Sequence, residues 1–525
     1  MTTHSQTPEI PELTFDVPQG RAGQRLVHEL CQAYELHEGP RHSRETVYLD
    51  TFDGRLFAQS RALWSSGGML HLQSLDRPDP PDRVGLEGLP VFAERLPPGG
   101  LRDGLLPLTR NRALLRLFSV RSEVSTWSRW NRDQKTILRV SVSDDEASDG
   151  KQTAPLGRCV VVRQVRGYKK IFREVLEWWE KRVARVDVAA RYRRAIETLG
   201  LDPLRTSAMP RVRIDAAMTA ADAVRSMIRG QYLVARGNQE GILNDTDAEF
   251  LHDFRVAVRR ARSFLGQLRD VFEPEPAARL RKGLSWLGKS TNVPRDLDVY
   301  LLEQDDYRRM LSGALAEDII PLFDFAARER EAAHRVLVEV MASGGYDRAM
   351  RRWRSGFEDE PGLGVGARGS EPVLSLVGAR VARKCRAVLE QGFRLRDQTD
   401  PDAFHSLRIE CKQLRYLMEI LADLVPEAKS VVQRLKKLQD ALGRIQDLTV
   451  HEARTQEFAQ AMTAAGDGRV LPAVEVLVSR MRVERDRACA RVPRLFARFS
   501  QSLRETEPPY AILLPWLRRM QDNQA

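Results

Sequence analysis

The sequence predicts an α+β N-terminal domain followed by an all-α domain built from two pseudo-symmetric helical-bundle repeats. Three observations carry that expectation. Short β-like runs with turn signals are confined to the first part of the chain, long Arg-, Leu- and Ala-rich segments of helical periodicity fill the remainder, and those segments repeat a set of sequence blocks. At 525 residues the chain exceeds what one hydrophobic core serves, so two or three domains are expected.

Taken in order, Gly23 to Leu36 reads as a short amphipathic helix, and Glu45 to Leu49, Thr136 to Val142 and Cys159 to Val165 read as strands. Arg77 to Gly104 is dense in Pro and Gly and reads as an irregular loop. Lys170 to Leu199 reads as one long helix closing the domain. Beyond about Ala216 the β-branched runs vanish and helical periodicity takes over. The expected organisation is a domain over 8–201, a linker over 202–215 punctuated by Pro203 and Pro210, and a helical domain over 216–522. Glycines 356, 362, 364, 366 and 369 mark a connector over 356–372, which separates repeat one, 216–355, from repeat two, 373–522.

Composition narrows the function classes. Lys and Arg number 83 against 72 Asp and Glu, a net charge of +11, which favours anionic partners without identifying one. Aromatic residues make up 7%, too few to suggest a single-strand nucleic-acid binder built on base stacking. Cys31, Cys159, Cys385, Cys411 and Cys489 are scattered and odd in number, with no C-x-x-C pair, so a reducing cytoplasm is the expected location. No signal-peptide pattern or membrane-span-length apolar run is read, and a soluble protein without a membrane span is expected.

The helical halves share three blocks in one order. His252-Asp-Phe-Arg255-Val-Ala-Val-Arg259-Arg260-Ala-Arg262 matches His405-Ser-Leu-Arg408-Ile-Glu-Cys-Lys412-Gln-Leu-Arg415. Then Arg279-Leu-Arg281-Lys282 and Leu287-Gly288-Lys289 match Arg434-Leu-Lys436-Lys437 and Leu442-Gly443-Arg444, and Arg295-Asp296-Leu297 matches Gln446-Asp447-Leu448. At about 100° per residue, positions 252, 255, 259 and 262 fall in a stripe roughly 80° wide, as do 405, 408, 412 and 415. Phe254, Val258, Ala261, Leu265 and Leu268, mirrored by Leu407, Cys411, Leu414, Met418 and Leu421, lie opposite and are expected to face the core. Like charges at i,i+4 cost an isolated helix roughly 0.2–0.5 kcal/mol per pair, and neither stripe contains an acidic residue, so an external anion is the natural partner. Arginine forks onto a phosphate and lysine adds a mobile point charge. A His ringed by cations is a poor metal ligand, so His252 and His405 are expected to bond an anion or orient an Arg, and Asp296 and Asp447 to act as caps or supporting partners.

In these H-x-x-R-x-x-x-[RK]-x-x-R, L-G and D-L motifs the chain resembles the CHAD family, the conserved histidine α-helical domain, over about residues 210–522. The resemblance implies two four-helix-bundle-like halves around a basic trough that binds inorganic polyphosphate. By that likeness the binding residues are His252, Arg255, Arg259, Arg262, Arg281, Lys282, Lys289, His405, Arg408, Lys412, Arg415, Lys436, Lys437 and Arg444. Arg260 and Arg295, which stand in the same blocks, complete the candidate set. No cofactor, catalytic residue or metal site is expected. Association with polyphosphate-containing storage granules stays open within the expected cytoplasmic location, and nucleic acid stays open as a competing polyanion.

The N-terminal part is similar to the CYTH or triphosphate-tunnel family in Phe15-Asp16-Val17-Pro18 and in Tyr48-Leu49-Asp50-Thr51 followed by Leu56. That resemblance implies a tunnel-like antiparallel β-barrel. The family's E-x-E-x-K strand reads Ile10-Pro11-Glu12-Leu13-Thr14 here, its L-R-x-R strand reads Leu63-Trp64-Ser65-Ser66, and Leu70-His71-Leu72 and Cys159 to Arg163 lack the family's charged residues. Loss of metal-holding carboxylates removes both the Lewis acid and the activated water of triphosphate hydrolysis, so a degenerate, non-catalytic tunnel is expected. The alternative is a surviving metal-dependent triphosphatase, for which Glu12, Asp50, Glu87 and Asp144 are the carboxylates to nominate.

Overall fold

A computed structural model describes residues 12–77, 79–204, 212, 214–215, 217–358, 362–395, 401–422 and 428–504, without the side chains of 401–402, 421–422, 428, 430 and 502–504. The expectations that fall on Ile10, Pro11, Pro210, the Leu421 side chain and residues 505–522 lie outside the described residues. Contacts divide the chain into two units, Met1–Ser207 and Ala208–Ala525.

The first unit runs β1 (Glu12–Val17), α1 (Arg21–Ala33), β2 (His37–Thr51), α2 (Arg55–Ala58), β3 (Arg61–Ser66), β4 (Met69–Ser74), β5 (Asp82–Gly85), a 3-10 turn (Ala93–Arg95), α3 (Gly100–Thr109), β6 (Leu114–Trp130), β7 (Thr136–Ser148), β8 (Thr153–Arg163), α4 (Lys169–Glu180) and α5 (Val188–Thr198). The strands form one curled antiparallel sheet in the order β1-β8-β7-β6-β2-β3-β4-β5, with register shifts in the β2–β6, β6–β7 and β7–β8 ladders. Period-two alternation sends Val47, Leu49, Leu63, Leu70 and Leu72 to a cluster with Leu101 and Leu105 of α3. Tyr48, Ala62, Trp64, Phe118 and Val120 go to the opposite side, where α5 covers them with Ala189, Tyr192, Ala195 and Ile196. Phe15, Val140, Val142, Val160 and Val162 pack under Leu30 of α1 and Phe172, Val175 and Trp179 of α4.

Two local expectations are corrected. The loop expected over Arg77–Gly104 contains β5, the 3-10 turn and the start of α3, because Val84 pairs with Leu70 and Ala93, Leu96 and Leu101 bury their side chains. The helix expected over Lys170–Leu199 is two helices. Between them the backbone turns to pair with β1, Asp16 N–H donating to Ala184 O at 3.3 Å and Val186 N–H to Thr14 O at 3.0 Å. Asp187 then caps the new helix by accepting from the Ala190 N–H. β6, among the longest strands, escaped the sequence reading because its second half is mostly polar.

The second unit is helical: α6 (Ala220–Leu243), α7 (Ala248–Gln267), α8 (Pro274–Ser290), α9 (Asn292–Leu302), α10 (Gln304–Arg309), α11 (Leu315–Asp318), α12 (Ile320–Met341), α13 (Gly344–Ser355), α14 (Val373–Arg394), α15 (Pro401–Ala422), α16 (Ala428–Ala464) and α17 (Leu471–Arg504). Thr219, Asp247 and Ser343 accept backbone N–H groups at the starts of α6, α7 and α13. Gly241 lets α6 approach α7, since a Cβ there would overlap the Phe250 ring. Gly392 does the same between α14 and Phe496 of α17.

The repeat expected from the sequence is built as matched elements, α6 with α7 in one half and α14 with α15 in the other, and the halves meet where α7 packs on α15 and α6 on α14. One difference is informative. Five residues, Ser290 to Pro294, separate Lys289 from Arg295, whereas Ile445 alone separates Arg444 from Gln446. The extra residues, ending in Pro294, split repeat one into α8 and α9, while α16 runs unbroken through the same blocks. Leu297, Tyr300, Phe323, Leu448, Phe458 and Leu477 form a core that joins the two halves. Among the described residues no helix is long and apolar enough to cross a membrane.

A cationic cleft between the helical repeats

The apolar faces of α7 and α15 are buried as phased, with Phe254, Val258, Ala261, Leu265 and Leu268 on one and Leu407, Cys411, Leu414 and Met418 on the other. That burial fixes where the basic stripes point. A cleft of about 590 Å³ opens at the meeting of the repeats, lined by Arg259, Arg262 and Arg269 of α7 and its end, Arg281 of α8, Arg380, Arg383 and Lys384 of α14, and Arg408 and Lys412 of α15. Tyr416, Gln267 and Gln413 are among its neutral walls, and no carboxylate lines it among the described residues. Beyond the lining, Glu410 holds Lys384 at 2.8 Å and Asp270 approaches Arg380 at 3.9 Å. The buried Nε atoms of Arg281, Arg380 and Arg408 have no hydrogen-bond partner among the described residues. Arg259 Nε donates to Tyr416 Oη at 2.7 Å, tying α7 to α15 across the cleft.

Repeat-equivalent positions differ in their partners. Arg255 Nη1 donates to Gly288 O at 3.0 Å, Thr291 Oγ1 at 2.8 Å and Asn292 Oδ1 at 2.9 Å, so it closes the break between α8 and α9. Its counterpart Arg408 faces no break and turns to the cleft. Burial lowers the pKa of both, that of Arg255 to about 10, while Asp296 and Asp447 respectively oppose the shift. Burial likewise raises the pKa of both aspartates against the pull of those arginines. Arg295 donates to His252 Nδ1 at 2.9 Å and to Ala248 O at 3.0 Å. At the matching place Gln446 Oε1 lies 2.9 Å from His405 Nδ1, so each repeated block places its His beside the residue that precedes the aspartate.

The remaining candidates fall outside the cleft lining. Arg260, 7% exposed, is paired with Glu419 at 3.3 Å. Arg415 bonds Gln439 at 2.7 Å and also pairs with Glu419. Arg444 pairs with Glu303 at 2.7 Å. Lys282, Lys289, Lys436 and Lys437 are exposed on α8 and α16. The cleft therefore unites Arg259, Arg262, Arg281, Arg408 and Lys412 from the candidate set and adds Arg269, Arg380, Arg383 and Lys384. At the offset that relates His252 to His405, Arg380, Arg383 and Lys384 correspond to Met227, Gly230 and Gln231, so a comparison of the halves passes over them. Their own i, i+3, i+4 spacing was the available signal.

In the first unit the nominated carboxylates are dispersed. Glu12 pairs with Arg163 at 2.7 Å and Asp144 with Arg158 at 2.7 Å. Glu87 is exposed outside the strands. Asp50 is buried and accepts the N–H groups of Thr51, Leu56 and Phe57 at 2.7, 2.9 and 3.0 Å, starting α2, and burial raises its pKa to about 6 against those bonds. Trp64 and His71, on the strands aligned with the tunnel motifs, stack 5.1 Å apart. Among the described residues no group of three His, Cys, Asp or Glu is placed to hold a metal ion.

Three solved structures resemble parts of the chain. The CHAD domain from the plant Ricinus communis is 24% identical, covering 54% of this chain and 95% of that one, with a TM-score of 0.45. PptA from Streptomyces chartreusis is 16% identical, covering 54% and 100%, with a TM-score of 0.41. A proposed adenylate cyclase from Bacillus halodurans is 14% identical, covering 34% and 93%, with a TM-score of 0.24. No curated protein matches. The CHAD domain family model matches residues 226–456, and the helical unit of this chain accordingly carries a CHAD domain.

Proposed function

We propose that the cleft binds inorganic polyphosphate or a closely similar linear polyanion. The observation that carries this reading is a lining that, among the described residues, holds nine Arg and Lys side chains and no carboxylate, drawn from both repeats. Arginines fork onto phosphate oxygens, and a polymer with no bases requires only a row of cations. Among the described residues Tyr416 supplies the only aromatic ring of the lining, too little for a run of stacked bases, which favours polyphosphate over single-stranded nucleic acid.

Titration of the full chain with long-chain polyphosphate tests the proposal. Replacing Arg259 and Arg408 together with Ala is expected to weaken binding at least tenfold, since each charge-assisted bond contributes about 1.5–3 kcal/mol. Unchanged affinity in that variant overturns the assignment of the cleft. Duplex DNA that competes equally at matched charge would favour a general polyanion site.

Recruitment to polyphosphate-containing granules follows from the same reading, and a fluorescent fusion that stays diffuse in granule-bearing cells would count against it. For the first unit we propose a non-catalytic role, a reading supported by the separate engagement of Glu12, Asp50 and Asp144. Phosphate release from triphosphate with magnesium or manganese would overturn it.

A further inference from the structure

Lys412 occupies a peculiar place in the cleft. It projects from α15 and is half-buried, with Arg408 and Arg415 a turn away on its own helix. From α7 it faces Arg259 and Arg262, from α8 Arg281, and from α14 Arg380, Arg383 and Lys384, all lining the same space. From α16 Asp447 offers the opposing charge, beside Arg444, which Glu303 already holds. Lys384 is likewise held by Glu410. Lys412 itself forms no ion pair within 4.0 Å among the described residues.

We propose that Lys412 is the adjustable charge of the cleft, taking up a proton from solvent as a polyanion settles, so that binding is coupled to pH. The proposal rests on the cleft being the polyanion site. Burial, then Arg259 and Arg408, lower the Lys412 pKa to about 7, with Asp447 opposing. With no anion beside it, Lys412 would thus stand partly as the neutral amine near neutrality. A phosphate chain beside it supplies the missing negative charge, restores the ammonium form and accepts its N–H bonds. The repeat contains its own control, because the counterpart of Lys412 in repeat one is Arg259. A guanidinium keeps its proton across this range and cannot make the same exchange.

The test is calorimetric titration of the full chain with long-chain polyphosphate at fixed ionic strength, in Tris and in HEPES, at pH 7 and pH 8.5. Wild type is expected to take up about half a proton per occupied cleft at pH 7 and close to one at pH 8.5, and to bind roughly tenfold more weakly at the higher pH. Lys412→Arg is expected to bind with little proton uptake and a flat pH dependence. Lys412→Met is expected to bind more weakly and also without uptake. Equal uptake by wild type and Lys412→Arg would overturn the proposal while leaving the cleft assignment intact. Absence of binding by wild type at low salt would remove the cleft assignment as well.

Discussion

Arg255 and Arg408 stand at one position of the repeat, yet only Arg408 lines the cleft. Arg255→Ala is expected to destabilise the protein by about 2 kcal/mol, because it strands Gly288 O and two side-chain acceptors. Arg408→Ala is expected to leave urea stability nearly unchanged and to weaken polyphosphate binding. Urea denaturation beside binding titration separates the two. His451, 3% exposed, lies 2.5 Å from Tyr307 Oη. Burial, with Arg444 and Arg454, lowers its pKa from 6.5 to about 4. The unfolded chain therefore binds the proton first, and stability from this group, present above pH 6.5, is lost as pH falls toward 4, by up to about 3 kcal/mol. Thermal denaturation from pH 7 to pH 4.5 should show the decline, and His451→Gln should lessen its slope. Helical phasing made Arg259, Arg262, Arg408 and Lys412 legible in the sequence. Arg260 and Arg415 share their block but meet Glu419, a long-range partner for Arg260 that no spacing rule reveals.

At the scale of elements, the close helix contacts rest on particular glycines. Gly392→Ala is expected to destabilise the helical unit by about 1–3 kcal/mol, because the new methyl group meets the Phe496 ring and α14 must shift. A lowered melting temperature checks it, and an unchanged one would show that Phe496 can turn aside freely. The matched helices could be read from periodicity because each carries a buried stripe, as at Phe254 to Leu265 and Leu407 to Met418. The break at 181–187 could not, because Arg182 to Val186 contains no strong helix breaker and the interruption comes from pairing with β1. The insertion ending in Pro294 was visible as a spacing mismatch between the repeats. Only the structure connects it to the different partners of Arg255 and Arg408.

For the whole molecule, the net charge of +11 is compatible with many anions, and its concentration in one cleft is what narrows the choice. A polymer neutralising most of the cleft cations releases condensed counterions, so affinity is expected to fall roughly a thousandfold between 50 and 200 mM salt, by analogy with other polyanions. A log–log plot of affinity against salt measures this, and a flat line would mean that the charges are not engaged. The change from mixed α/β texture to continuous helix near Ala216 was legible because burying a sheet and burying a helix leave different periodicities. The open margins of the sheet were not: among the described residues no ladder joins β1 to β5. β1 and β5 stand at opposite ends of the strand order.

Those two margins matter for how the protein behaves at high concentration. β5 is four residues long and presents Asp82 and Arg83, a poor template for another chain. β1 is longer and apolar at Phe15 and Val17, and its outer edge is occupied by the stretch from Ala184 to Val186 through bonds to Thr14 and Asp16. That strap between α4 and α5 satisfies backbone groups that would otherwise recruit a neighbouring sheet. Loosening it would convert a capped margin into a seed for strand-by-strand self-association.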